Sequence, residues 1–170
     1  MKRMTHFPRL SLADTINGFG GVSRDEAVQA ATEQLETLRG DADQAIEESL
    51  SAIEQLCATP QAGSAYSAAQ LSGMLVRCDQ IVTLAGTFGY RALDDATRYL
   101  CDLADGLLRS GTSDVPSVTV HVRAMRLLAP GSPPLAPGHQ EKVLSELGRI
   151  LAHHGYPRAN DLADKALAGG

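Results

Sequence analysis

The sequence contains no tryptophan, and its few tyrosines and phenylalanines hold the aromatic share at 4 %. A sandwich of β-branched and aromatic strands is hard to build from such material, whereas close-packed helices rich in Ala and Leu are not. An uninterrupted apolar run long enough to span a bilayer is also missing, which argues against membrane insertion. Near the N-terminus, Pro8, Arg9, Asp14 and Asn17 break any stretch that could serve as the core of a signal peptide.

Cysteine is scarce. Cys57, Cys78 and Cys101 are odd in number and far apart, so they build neither a disulfide framework nor a zinc site, and read as reduced thiols in a cytoplasmic protein. Positive charge is not in excess either: the net charge is -5, with both signs interspersed, which disfavours nucleic acid as a partner. No Gly-rich phosphate loop, nucleophile elbow or paired metal-binding carboxylates occur. Gly18-Phe19-Gly20-Gly21 lacks the preceding strand and the Lys of a phosphate cradle. No cofactor is expected.

What the chain does have is helical punctuation. Residues 1–22 read as an arm carrying Phe7, Leu10, Leu12, Ile16 and Phe19. Ser23-Arg24-Asp25-Glu26 then forms a capping box. After it Val28, Ala31, Leu35, Leu38, Ala42, Ala45, Ser49, Ala52 and Leu56 alternate at steps of three and four, the seam of a packed helix running to about Cys57, with a bend or break allowed at Gly40. Thr59, Pro60 and Gly63 make a turn. A second helix is read from about Ser64 to Ala85, with Leu71, Met74, Leu75, Cys78, Ile81, Val82 and Ala85 inward.

Gly89 separates it from a third, about Tyr90 to Arg109, in which Leu93, Ala96, Leu100, Leu103 and Leu107 repeat the seam, and Gly111 terminates it. SVTVHV, Ser117 to Val122, alternates like a strand. Yet Val118, Val122, Met125 and Ala129 fit a helical stripe, Asp114 with Pro116 suits a helix start, and a lone strand has nothing to pair with.

A Pro/Gly linker over residues 130–138 leads to a helix marked by Val143, Leu144, Leu147, Ile150 and Leu151, with Gly155 and Pro157 after it and a short final helix over 158–168. The expected architecture is all-α. An antiparallel four-helix bundle occupies residues 23–129, and a C-terminal helical extension over 139–170 packs on it.

The segment from Cys78 to Leu103 resembles the core of histidine phosphotransfer (Hpt) domains. Their pattern is a histidine, then Leu two, Lys three, a small residue four and Gly ten positions later, followed by a helix. With that Gly set on Gly89, Asp79 stands at the phosphoacceptor position, Ile81 at the Leu position, Val82 at the Lys position and Thr83 at the small-residue position.

A narrower resemblance, to the CheE group encoded in chemotaxis clusters, rests on Leu84 to Gly89, Leu100 to Leu103 and Val120 to Leu128. It implies two-component or chemotaxis signalling. The frame matches and the reactive pair does not. Phosphotransfer needs an exposed imidazole and cationic help, and Asp79 with Val82 offers neither.

The resemblance therefore implies binding to a receiver domain or histidine kinase through Val76, Asp79, Val82, Thr83 and Gly86, without transfer. An acidic receiver pocket would repel Asp79 when empty and could accept it when Mg²⁺ is present. The plainer alternative makes Asp79 a solvated surface residue and packs Val76 and Val82 against a neighbouring helix.

His121, with Arg123 and Arg126 nearby, is the alternative phosphoacceptor, weighed against a structural histidine flanked by Val118 and Val122. His153 and His154 are explained by their place at a helix C-terminus. A third alternative is an assembly helper that forms a homodimer through a helical face and the N-terminal arm.

Overall fold

A computed structural model describes residues 22–58 and 65–156. The expected arm, the turn at Thr59, Pro60 and Gly63, and the final short helix lie outside the described residues, apart from exposed Val22. All elements described are helices, with no strand among them: α1 (Arg24–Ala58), α2 (Ala68–Phe88), α3 (Arg91–Ser110), α4 (Val115–Leu128) and α5 (Pro137–His153). SVTVHV lies within α4, so the helical stripe outweighs β-propensity there. No helix among the described residues is long and apolar enough to cross a membrane.

The chain divides into two units after Leu38. The described part of the first is residues 22–38. Ser23 N–H donates to Glu26 Oε2 at 2.9 Å and Glu26 N–H to Ser23 Oγ at 3.2 Å, the reciprocal cap expected there. The inward seam expected over Val28, Ala31, Leu35 and Leu38 is not buried, because every residue of this stretch is exposed. Heptad spacing defines a face and does not supply what covers it.

In the second unit the remainder of α1 continues without a break past Gly40. Its buried face is Ala42, Ile46, Ser49, Leu50 and Ile53, so Ile46 and Ile53 stand in the core where the expected line ran through Ala45 and Ala52. Ala42 and Ser49 of the expected line are buried, but the bulky Ile and Leu side chains take the rest of the core and leave Ala45 and Ala52 at its edge. Each fully buried Ile or Leu contributes about 1.5–3 kcal/mol, and burying Ala45 instead would forfeit most of that.

Helix α2 starts later than expected, at a second capping box in which Ser67 Oγ accepts from Gln70 N–H at 3.2 Å. It ends at Gly89, whose φ of 81° is left-handed and favours glycine.

Helix α3 is the hub. It packs against α2, α4 and α5, and α4 also touches α5. Leu93, Leu100, Leu103 and Leu107 of α3 meet Met74, Cys78 and Ile81 of α2, Val118 and Met125 of α4, and Leu147 and Leu151 of α5 in one core. Helix α5 begins at Pro137, inside the expected linker, and sits close to α3: a Cβ at Gly148 would lie 3.2 Å from Tyr99 Oη, and one at Gly106 would run into the Tyr156 ring.

Candidate functional site

Because α2 buries Leu71, Met74, Cys78, Ile81 and Ala85, helical geometry turns the opposite side to solvent. Val76, Asp79, Thr83 and Gly86 fall along one line of that side and all four are exposed. Val82 stands beside the line and is half-buried, so it contributes less surface than the expected patch assumed.

The hydroxyls here are already engaged on their own helix. Thr83 Oγ1 donates to the Asp79 carbonyl at 2.9 Å, and Thr87 Oγ1 to the Thr83 carbonyl at 2.8 Å. Asp79 and Thr83 border a cleft of about 440 Å³ between α2 and the 45–49 stretch of α1, in which Glu48 adds a second carboxylate and Arg77 a cation. Arg77 Nη1 donates to Gln80 Oε1 at 3.1 Å, and Ser49 Oγ donates to the same oxygen at 3.4 Å.

This face offers carboxylate oxygens, which can accept hydrogen bonds or ligate a cation. None of the residues described on it carries a nucleophilic nitrogen. Behind it, α2 and α3 bring two thiols together. Hydrogen bonding to Cys101 and then burial push the Cys78 thiol well up. The Cys78 S–H holds Cys101 below its ordinary value, against burial and the Asp102 and Asp79 carboxylates. Among the described residues no group of His, Cys, Asp and Glu is placed to hold a metal ion.

His121 is not brought to this face. Its residue exposure is 0 %; Nδ1 lies 2.8 Å from the Ser117 carbonyl, in position to donate to it, and Nε2 is buried with no hydrogen-bond partner among the described residues. A phosphoacceptor must present its imidazole to another protein, and this one is enclosed. Burial also lowers its pKa, which outweighs the Ser117 hydrogen bond. Arg123 points to solvent. Arg126 is committed elsewhere, as Nε and Nη2 reach the Glu54 carboxylate at 2.9 and 2.7 Å and Nη1 pairs with Glu47.

His154, beyond the end of α5, meets Asp114 and Ser117 at the start of α4. Its Nε2 is 2.8 Å from Asp114 Oδ2 and 3.2 Å from Ser117 Oγ, while Ser117 Oγ donates to the same Asp114 oxygen at 2.6 Å. A hydrolytic relay needs the carboxylate and the hydroxyl on opposite imidazole nitrogens. Here both crowd one nitrogen, which makes the trio a helix cap joined to the next helix end. Burial alone would raise the Asp114 pKa, but the Ser117 and His154 contacts outweigh it and bring it below the ordinary value.

Sequence reasoning missed the polar ties that hold α1. Arg39 Nη1 donates to the Phe88 carbonyl at 3.1 Å and to Tyr90 Oη at 3.2 Å, and its guanidinium lies within 5.7 Å of both ring centroids. Glu47, Ser51 and Glu54 share one side of α1 and meet Arg126. Their regular spacing is visible in the sequence, but the arginine is more than 70 residues away and nothing local marks it.

No known protein-family model, curated protein or solved structure matches the chain.

Proposed function

We propose that this chain is an Hpt-like helical bundle, formed by α1 to α4, that docks a receiver domain or histidine kinase on the exposed line of α2 and does not carry a phosphoryl group. The observation that supports it most directly is the exposure of Asp79 together with Val76, Thr83 and Gly86 on the side of α2 facing away from the core, at the position where Hpt domains expose their histidine.

The left-handed Gly89 and the tightly packed α2–α3 pair fit the same frame. So does the lack of lysine and imidazole among the residues described on that face. Helix α5 is then an addition that covers α3. Burial of His121 weighs against the reading in which it accepts phosphate.

Titration of the chain against receiver domains and kinases encoded beside it tests the proposal. Binding that strengthens when Mg²⁺ and a phosphate mimic are added, and loses that strengthening in Asp79→Lys, is the expected result. Absence of binding by every candidate under all these conditions overturns it.

A further inference from the structure

Cys78 and Cys101 stand at one level on two packed helices. Only Gly89 and Tyr90 join α2 to α3, and the two helices pack together, so the chain doubles back at that corner. Cys78 lies ten residues before the end of α2 and Cys101 ten residues after the start of α3, which sets each about 15 Å along its helix from the corner. With helix axes about 8–10 Å apart and Cα atoms about 2.3 Å off each axis, partners that are level and face one another reach the Cα spacing of about 4.4–6.8 Å that a disulfide needs. The thiols do meet, since a hydrogen bond with the other is the first influence on the titration of each. Both are free.

The two sulfurs differ in access and in charge. Cys78 is fully buried, while Cys101 is half-buried and reaches solvent. The Cys78 S–H stabilises a thiolate at Cys101, and Arg98, one turn back on α3, adds to this against burial and the Asp102 and Asp79 carboxylates. Cys57, half-buried as well, is pushed further toward the protonated thiol, first by burial. A peroxide oxidises a thiolate that it can reach, and of the three cysteines only Cys101 combines access with a favoured thiolate.

We propose that Cys78 and Cys101 form a redox site for a small hydroperoxide, in which Cys101 is the sulfur oxidised, Cys78 is the thiol that resolves it, and the product is a disulfide joining α2 to α3. The Cys101 sulfur attacks one oxygen of the hydroperoxide and the O–O bond breaks. The departing hydroxide or alkoxide takes up the proton that Cys101 gave up, which leaves a sulfenic acid. The Cys78 sulfur then attacks the Cys101 sulfur and expels its hydroxide, which leaves as water with the Cys78 proton. One hydroperoxide is reduced to water or an alcohol, two thiols are oxidised to one disulfide, and a second water is released. The inference does not use docking on the Asp79 line and stands or falls separately from receiver binding.

Peptide mapping tests it. The reduced full-length chain is treated with hydrogen peroxide, remaining thiols are alkylated, and the fragments are read by mass spectrometry. The expected product is a Cys78–Cys101 bond within one chain, with Cys57 alkylated, and Cys57→Ser gives the same product. In Cys78→Ala the reaction stops at a sulfenic acid on Cys101 that dimedone traps. Cys101→Ser slows oxidation of Cys78 by more than about tenfold, because the remaining sulfur is buried. The bond closes the segment 78–101 and raises the Tm by roughly 5–15 °C, and dithiothreitol reverses both changes.

A bond through Cys57, a bond between two chains, or no bond at peroxide concentrations that oxidise an unstructured cysteine peptide overturns the inference. So does a disulfide that leaves the Tm unchanged or lowered, the sign of a bond made by a distorted chain. If Cys78→Ala fails to fold, the unaltered chain and Cys57→Ser decide the matter, since neither alters the two sulfurs.

Discussion

Tyr90 Oη donates to Asp43 Oδ1 at 2.5 Å, and this bond fastens the corner between α2 and α3 to the middle of α1. Both chain and chemistry converge there. Gly89 turns the backbone, Tyr90 N–H donates to the Ala85 carbonyl at 2.8 Å, and Arg39 stacks over the Phe88 and Tyr90 rings. Burial, and next the Asp43 bond, raise the Tyr90 pKa, so the phenol stays neutral and donating through the physiological range.

Tyr90→Phe keeps the ring and its stacking but removes the donor to a carboxylate. Half-burial of both partners and the charge on Asp43 put the loss at about 1–2 kcal/mol. For a chain of this length that is roughly 2–4 °C in Tm per kcal/mol. A double-mutant cycle with Asp43→Asn, read by thermal denaturation, is expected to show the two losses sharing one coupling term. Additive losses would mean that the bond does not form in solution.

Acid stability is expected to report His121. Its pKa is lowered in the folded chain, first by burial, so below the ordinary value of 6.5 the unfolded chain binds the proton more readily. The stabilisation is then complete above about pH 6.5 and is lost as the pH falls through the lowered folded value. Asp114, whose pKa is lowered from 3.8, keeps its share above that value and loses it as the pH falls through its own lowered folded value. Denaturant titrations between about pH 7.5 and 5 should show stability falling in the unaltered chain and falling less in His121→Gln. An identical slope in both would show that this imidazole does not carry the effect.

The helices are legible in the sequence because their signals are local: Ser23 and Glu26, the Leu repeat of α3, and Gly89 and Gly111 act over one or two turns. The burial pattern is legible only where bulky residues repeat. In α1 the expected seam keeps Ala42 and Ser49 in the core but misses Ile46, Leu50 and Ile53, which lie one position beyond Ala45, Ser49 and Ala52 and are fully buried. Exposure of Asp79 follows from its spacing to Cys78 and Ile81, both fully buried. The Arg126 clamp on Glu47 and Glu54 and the pairing of the free thiols of Cys78 and Cys101 are not legible, since each depends on which helices become neighbours.

The proposed likeness to Hpt domains makes a constructive prediction. If Asp79 and Val82 occupy the phosphoacceptor and lysine positions, replacing both, Asp79→His with Val82→Lys, restores the reactive pair. Asp79 is exposed, and Val82, half-buried beside it, leaves room for a lysine stem to lie along the helix with its ammonium in water. The fold should therefore tolerate both, within about 1 kcal/mol. Incubated with a phosphorylated receiver domain that the unaltered chain binds, the double variant is expected to acquire acid-labile label on the introduced imidazole, with Asp79→His alone labelled more weakly and the unaltered chain not at all. Lysine contributes by holding phosphoryl oxygens in the transition state, so the single variant should be slower and not merely less saturated. A folded double variant that binds the receiver and takes no label would mean that the carboxylate at position 79 does not face the partner's aspartate, and that the likeness to Hpt domains extends to helix packing only.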